Sequence, residues 1–343
     1  MNDQNSNQCS DKGKFVLAAG KVGPILAFVA IALIWGTSFY ATKVALADLS
    51  PIEVLSVRWL IAFVIFLVLS IFKVIKIDFK GKPTKLLILT VLFQPCTYAI
   101  FETWGVKLTT TLESAIFIAS VPLAVVILGR FITKEKLNRK TIIAVIVGFS
   151  GVTLSMLFSP AFSIGGKATG YLALIGAIIV GAMYSLMTSK ISKFYSTMEI
   201  TFAMTAGGGL LFTTICLLEG KGFNGFSVLM NGGSTCWALI YMGVCCSFLA
   251  YNLCNYSLSK MPAAVVSSVN TSAINLVAVA SGILLSGDPW GWYTIVGVIT
   301  IIISIIIISG AGSKDHKEGG EGKAEEGKPQ DDGQEGHSEI KIS

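Results

Sequence analysis

Apolar runs of about 20 residues recur along this chain, and that is the length of α-helix needed to cross the hydrocarbon of a bilayer. Ten such runs fall at roughly 23–47, 52–72, 86–106, 111–131, 141–158, 169–189, 198–218, 235–257, 262–285 and 290–310. They are continuous rather than alternating. A spanning β-strand shows lipid only every second residue, so continuity selects helices over a barrel. Charged residues make up 13% of the 343 positions and apolar ones 53%, with a mean hydropathy of +0.72. Soluble domains carry roughly 25% charged residues. The expected fold class is therefore an all-α integral membrane protein with ten transmembrane helices.

The stretch Phe93–Pro122, "FQPCTYAIFETWGVKLTTTLESAIFIASVP", returns in softened form at Cys246–Ile274, about 150 residues later. A period of half the chain points to duplication of a five-helix unit. Five is odd, so the second copy enters the membrane from the other side, and the expected arrangement is two inverted repeats. The boundaries that follow are a tail over 1–22, a first repeat over 23–158, a connecting loop over 159–168, a second repeat over 169–310 and a disordered tail over 311–343. That last segment is glycine-rich and charged with no apolar periodicity. Both termini are expected in the cytoplasm of a cell whose plasma membrane the chain spans. With that orientation Lys73, Lys76, Lys80, Lys82, Lys85, Arg130, Lys134, Lys136, Arg139, Lys140, Lys190, Lys193 and Lys260 lie inside, against Lys107, Lys167 and Lys221 outside, which is the positive-inside distribution. The net charge of +6 thus reports orientation rather than a nucleic-acid partner.

Polar residues inside the spans are the candidate functional residues, because hydrocarbon tolerates them only where they are paired or face a cavity. Gln94, Tyr98 and Glu102 recur every four residues and share one stripe of a helix, with Pro95 favouring a kink beside them. Trp35, Ser38 and Thr42 share a face of the first helix. Asn252, Asn255, Asn270, Thr271 and Asn275 are amides and hydroxyls in the last helices, with Ser267, Thr271 and Asn275 in register. A substrate cavity is expected among Trp35, Ser38, Gln94, Tyr98, Glu102, Tyr184, Tyr251, Asn270 and Asn275. Lys43, Arg58, Glu102 and Glu113 fall toward the outer side of helices 1 to 4, where each unpaired charge costs about 3 kcal/mol. They read either as a structural ion-pair network or as a charged outer gate or coupling site, with Glu113 alternatively capping its helix.

Other chemistries are disfavoured. Both histidines, His316 and His337, lie in the tail, and the seven cysteines show no metal-ligand spacing with histidine. No cofactor or metal is expected, and no Gly-rich phosphate-binding segment is present to drive pumping by hydrolysis. Glu102 and Glu113 have no histidine partner within the spans, so an intramembrane enzyme is disfavoured.

Three stretches support a resemblance: "WGTSFYATK" at 35–43, "ESAIFIASVPLAVVILGRFITKEKL" at 113–137, and a paired copy ending "SGDPWGWYTIVGVI". With them the chain resembles the EamA-type branch of the drug/metabolite transporter superfamily from about Pro24 to Ser309. The resemblance implies two EamA domains and export or exchange of small metabolites, often amino acids or related polar solutes. It also implies a mid-helix proline, supplied by Pro122, and acidic residues after helices 4 and 9, supplied by Glu135 and Asp288. Ile274 stands where a second such proline is expected. The expectation is a secondary transporter working by alternating access, with the lipid bilayer and a small-molecule substrate as partners. Coupling is either to protons with Glu102 as carrier or to no ion, in facilitated exchange. The alternative class is a non-transporting membrane receptor or scaffold.

Overall fold

The computed structural model describes residues 27–133, 139–158, 166–221, 224–261, 263–300, 302–304 and 306–307. The expected N-terminal tail, connecting loop and C-terminal tail lie largely or wholly outside them, as does Glu135. Among the described residues the secondary structure is helical, with no strands. Among these residues, seven helices are long and apolar enough to cross a membrane: α1 (Ala27–Asp48), α2 (Pro51–Ile71), α3 (Thr84–Leu108), α4 (Thr111–Ile132), α6 (Gly166–Ile191), α7 (Thr197–Leu218) and α8 (Ser234–Lys260). Further helices occupy Arg139–Leu157 (α5), Ala263–Leu284 (α9) and Trp292–Ser304 (α10), the last two carrying shorter apolar stretches. The chain is a multi-pass membrane protein.

Three helix starts share one device. The first amides of a helix lack intrahelical acceptors, and in a Ser/Thr-x-x-Glu box the two side chains satisfy each other's backbone N–H. At α2 the Ser50 amide donates to Glu53 at 2.9 Å, and Pro51 takes the first helical position. At α4 the Thr110 amide donates to Glu113 at 2.9 Å while Glu113 N–H donates to Thr110 Oγ1 at 3.1 Å. At α7 Ser196 and Glu199 do the same at 2.8 and 3.3 Å. Glu113 therefore works as a helix cap.

Packing inside the bundle rests on small residues, as expected where lipid gives no hydrophobic reason for helices to associate. α2 and α7 run antiparallel along each other. Ser56 Oγ lies 3.0 Å from Thr213 Oγ1, the Trp59 ring meets Gly208, and Phe66 packs edge-on to Phe202. The glycine triplet Gly207–Gly209 brings α7 close to Val91, to Trp59 with Pro95, and to Leu60. Gly105, Gly176 and Gly181 line α3 with α6, Gly36 seats α1 on Val277 of α9, and Gly151 seats α5 on Thr300 of α10. Trp59, Phe66, Phe212 and Leu174 are fully buried. Outward faces instead carry Leu33, Val64, Ile88, Ile179 and Leu210, an apolar exterior that suits lipid.

Two helices break step in the middle. In α3 the turn Leu92–Thr97 is widened to π spacing and Gln94 adopts an extended backbone, φ −137° and ψ 119°. Pro95 has no N–H to give to the preceding turn, so the ladder opens there. In α8 the widened stretch runs Met242–Ala250. α4 breaks between Ile118 and Val121, which places Pro122 in the first turn of its second half, where a proline costs least.

Candidate functional site

The widened turns of α3 and α8 bring unusual residues to the bundle centre, where helix irregularities often serve function. Cys246 O, in the opened stretch of α8, accepts the Trp35 indole N–H at 3.4 Å. Ser247 beside it turns its hydroxyl to Arg58 Nε, 2.8 Å away. From α3, the Gln94 amide donates to the Tyr251 hydroxyl and Tyr98 OH donates to Glu102 Oε1 at 3.0 Å. Tyr251 is the hub of the aromatic wall. Its ring centroid lies 4.9 Å from Trp35, 5.3 Å from Trp59 and 6.3 Å from Tyr184.

These side chains surround a cavity of about 790 Å³, the open space at its mouth included. Trp35, Ser38, Gln94, Tyr98, Glu102, Tyr184, Tyr251 and Asn270 all line it, with Ser267 and Thr271 from the same face of α9. Apolar wall comes from Phe39, Ile118, Val121, Val266 and Ile274. The wall is thus apolar with a few convergent polar groups, the usual make-up of a small-molecule site. Nothing among the described residues forms a cluster of metal ligands.

Asn275 departs from expectation. It is buried, but it is not among the lining residues, and neither of its amide atoms has a hydrogen-bond partner among the described residues. The cavity wall of α9 ends at Ile274, so the stripe that Asn275 shares with Ser267 and Thr271 runs past it. Asn255 also serves packing: it accepts from Tyr184 OH at 2.6 Å and donates to Thr201 at 2.9 Å. Thr42, on the Trp35 face, donates to Met242 Sδ at 3.4 Å.

The four charges expected as an outer gate divide between two places. Arg58 and Glu102 line the cavity. Lys43 donates to the Thr109 carbonyl, and Glu113 caps α4 and accepts from Tyr171 OH at 2.7 Å. The physical reason is the turn between α3 and α4. Its free carbonyl and amide ends attract a cation and an anion locally, leaving the other pair a helix turn or more away. Asp288 joins this turn by accepting the Leu112 N–H at 2.8 Å, next to a Thr111–Ser286 hydroxyl contact of 3.0 Å. Sequence reasoning placed Arg58 at a gate and gave Ser247 no role. An arginine within a span signals either placement equally.

The EamA-like transporter family matches residues 22–157 and again 168–310. The chain belongs to that family. It is a membrane transporter of the drug/metabolite type rather than an enzyme, and it carries the family unit twice. The uncharacterized transporters YcxC and YetK of Bacillus subtilis are 24% and 28% identical to it. YcxC aligns with 82% of this chain and 91% of its own length, YetK with 85% and 88%. Protein PagO of Salmonella typhimurium is 21% identical over 84% of this chain and 93% of its own. A solved crystal structure shares the fold, with a TM-score of 0.64 at 16% identity, covering 86% of this chain and 98% of the other. In the transporter the cavity lies between the two family units: Trp35 to Val121 come from the first, Gly181 to Ile274 from the second.

Proposed function

We propose that this transporter is a secondary carrier of the plasma membrane that exports or exchanges small polar metabolites by alternating access. Its ten helices form two inverted five-helix repeats, 23–158 and 169–310, and both termini are cytoplasmic. The observation that carries the reading is the mostly apolar cavity, set with a few polar groups, that lies between two copies of one family unit. Alternating access needs a site of this kind, one that each half can uncover in turn. The inverted relation is supported by α2 and α7. They begin with matching Ser-x-x-Glu boxes at Ser50 and Ser196, hold corresponding places in the two units, and run antiparallel. The widened turns of α3 and α8 correspond in the same way. The basic loops support the cytoplasmic placement of both termini.

Uptake into proteoliposomes, with and without an imposed pH gradient, tests this reading. A mixture of amino acids and small metabolites is offered and the accumulated species are read by mass spectrometry. Accumulation that follows the gradient identifies protons as the coupling ion, and Glu102→Gln then abolishes the gradient dependence. Downhill exchange indifferent to the gradient keeps the carrier and removes the proton. No movement of any solute through folded protein overturns transport of the solutes offered.

A further inference from the structure

Connecting turns usually run over the surface, but the turn between α3 and α4 is enclosed: Thr109, Thr111, Leu112 and Glu113 are all buried. Three side chains from elsewhere in the chain close on it. Lys43, in the last turns of α1, donates to Thr109 O. Ser286 and Asp288, from the connection between α9 and α10, meet the Thr111 hydroxyl at 3.0 Å and the Leu112 N–H at 2.8 Å. All three contacts are polar. Water replaces such bonds at small net cost, so they can be made and broken repeatedly, as an interlocked apolar core cannot.

The two sides of this contact belong to two packed groups of helices. α3 and α6 are joined through glycines, Gly105 against Leu174, Gly176 against Phe101 and Gly181 against Tyr98, and Tyr171 of α6 donates to Glu113 of α4 at 2.7 Å. α1 and α9 are joined likewise: Gly36 seats on Val277, and Ser281 donates to Gly36 O at 3.1 Å. Where the groups meet below the turn, the contact includes the small side chains Ala115 and Ala278. The cavity lies unevenly along this seam. Its lining reaches Leu258 in the last turn of α8 and Val266 in the first turn of α9, at one face of the bundle. Toward the opposite face it stops at Glu102, more than a turn before α3 ends, and at Ile118, well inside α4. The buried turn stands over that closed end.

Resting on the alternating-access reading above, we infer that Lys43, Ser286 and Asp288 form the latch of a gate that shuts the cavity from the outer face. Opening outward breaks the three contacts and parts α1 and α9 from α3, α4 and α6. Water then takes over Thr109 O, the Thr111 hydroxyl and the Leu112 N–H. None of the three latch residues lines the cavity. The latch therefore sets which face the cavity meets, and not what it holds.

Cys254 is a natural reporter for the test, since it lines the cavity as a free thiol. Intact cells carrying the full chain are exposed to a charged, membrane-impermeant maleimide, and the labelling of each cysteine is read by peptide mass spectrometry. The outside rate at Cys254 follows the fraction of time the gate is open. Ser286→Ala combined with Asp288→Ala is expected to raise that rate about tenfold. Cys216, which is 2% exposed and outside the cavity lining, stays unlabelled in a folded chain. In inside-out vesicles the same variant is expected to label more slowly at Cys254. A Thr111→Cys/Ser286→Cys disulfide is expected to lower the outside rate about tenfold relative to its own reduced form. An outside rate that neither change moves overturns the latch. Cys254 reached from both faces at rates indifferent to the latch keeps alternating access and overturns the latch alone. Faster outside labelling in the alanine variant, with no solute crossing proteoliposomes, keeps the latch and overturns the carrier.

Discussion

Asp288 shows how much one side chain outside the spans does for the fold. It reaches from the α9–α10 connection to cap the first turn of α4, taking the Leu112 N–H, and so ties the second family unit to the first. Burial pushes its carboxyl pKa above the ordinary carboxylate value, and Glu113 pushes the same way, while the Leu112 amide and Lys43 oppose. With the folded value above the unfolded one, this group's contribution is fully present below the unfolded pKa of about 4. It is lost as pH rises through the folded value. The melting temperature of the transporter is therefore expected to carry a component that falls as pH rises from about 4 through the raised value. Asp288→Asn, which keeps an acceptor oxygen and cannot ionise, is expected to flatten that component. An unchanged pH profile in the variant would assign the titration to another group.

At the scale of elements, the meeting of α2, α3 and α7 is the tightest constraint near the cavity. A Cβ on Gly208 would sit 2.5 Å from Pro95 Cγ and 3.1 Å from the Trp59 ring, and that ring is fully buried. Neither neighbour is a flexible chain end. Gly208→Ala is expected to destabilise by about 1–3 kcal/mol through overpacking. The shift should appear in thermal unfolding and in reduced solute binding, because Pro95 follows Gln94 in the cavity wall. How far such contacts were legible depends on their range. Tyr98 and Glu102 lie four residues apart on the unbroken helix beyond the kink, which is local geometry, whereas Gln94 reaches the same wall from the extended backbone of the kink itself. The Ser/Thr-x-x-Glu boxes at Ser50, Thr110 and Ser196 carry an equally local signal that a pattern reading alone finds. Asn275 misled because periodicity gives the face of a helix and not the depth at which a cavity ends. Arg58 with Ser247, and Asp288 with Leu112, join residues far apart in the chain, and no local pattern encodes those partners.

Across the whole molecule, the two family units grip each other through reciprocal clamps at opposite ends of the α2–α7 pair. Lys82, in the connection after α2, places Nζ 2.7 Å from both oxygens of Glu199 at the start of α7, where the Asp78 amide adds a bond of 2.9 Å. Lys221, in the connection after α7, reaches Ser50 Oγ at the start of α2 at 3.1 Å. Between the clamps lie the Ser56–Thr213 contact and the glycine faces. A pair tied at both ends and close-packed between is expected to move as one body, so on the alternating-access reading proposed above the changes that expose the cavity fall on other helices. Spin labels on Val64 of α2 and Leu210 of α7, both exposed on the outer surface, are expected to give one narrow distance distribution that added solute leaves unchanged. The clamps differ in strength. Glu199 is 5% exposed and takes two charged donor contacts from Lys82, whose side chain is 26% exposed. Lys82→Ala is therefore expected to cost about 1–3 kcal/mol, and Lys221→Ala less than about 1 kcal/mol, since Lys221 and its partner Glu219 are both largely solvated. If Lys82→Ala leaves stability intact but broadens the α2–α7 distance, the clamp governs motion rather than folding. A solute-dependent distance in the wild type would instead place the hinge within this pair, and the fixed-axis account would fall.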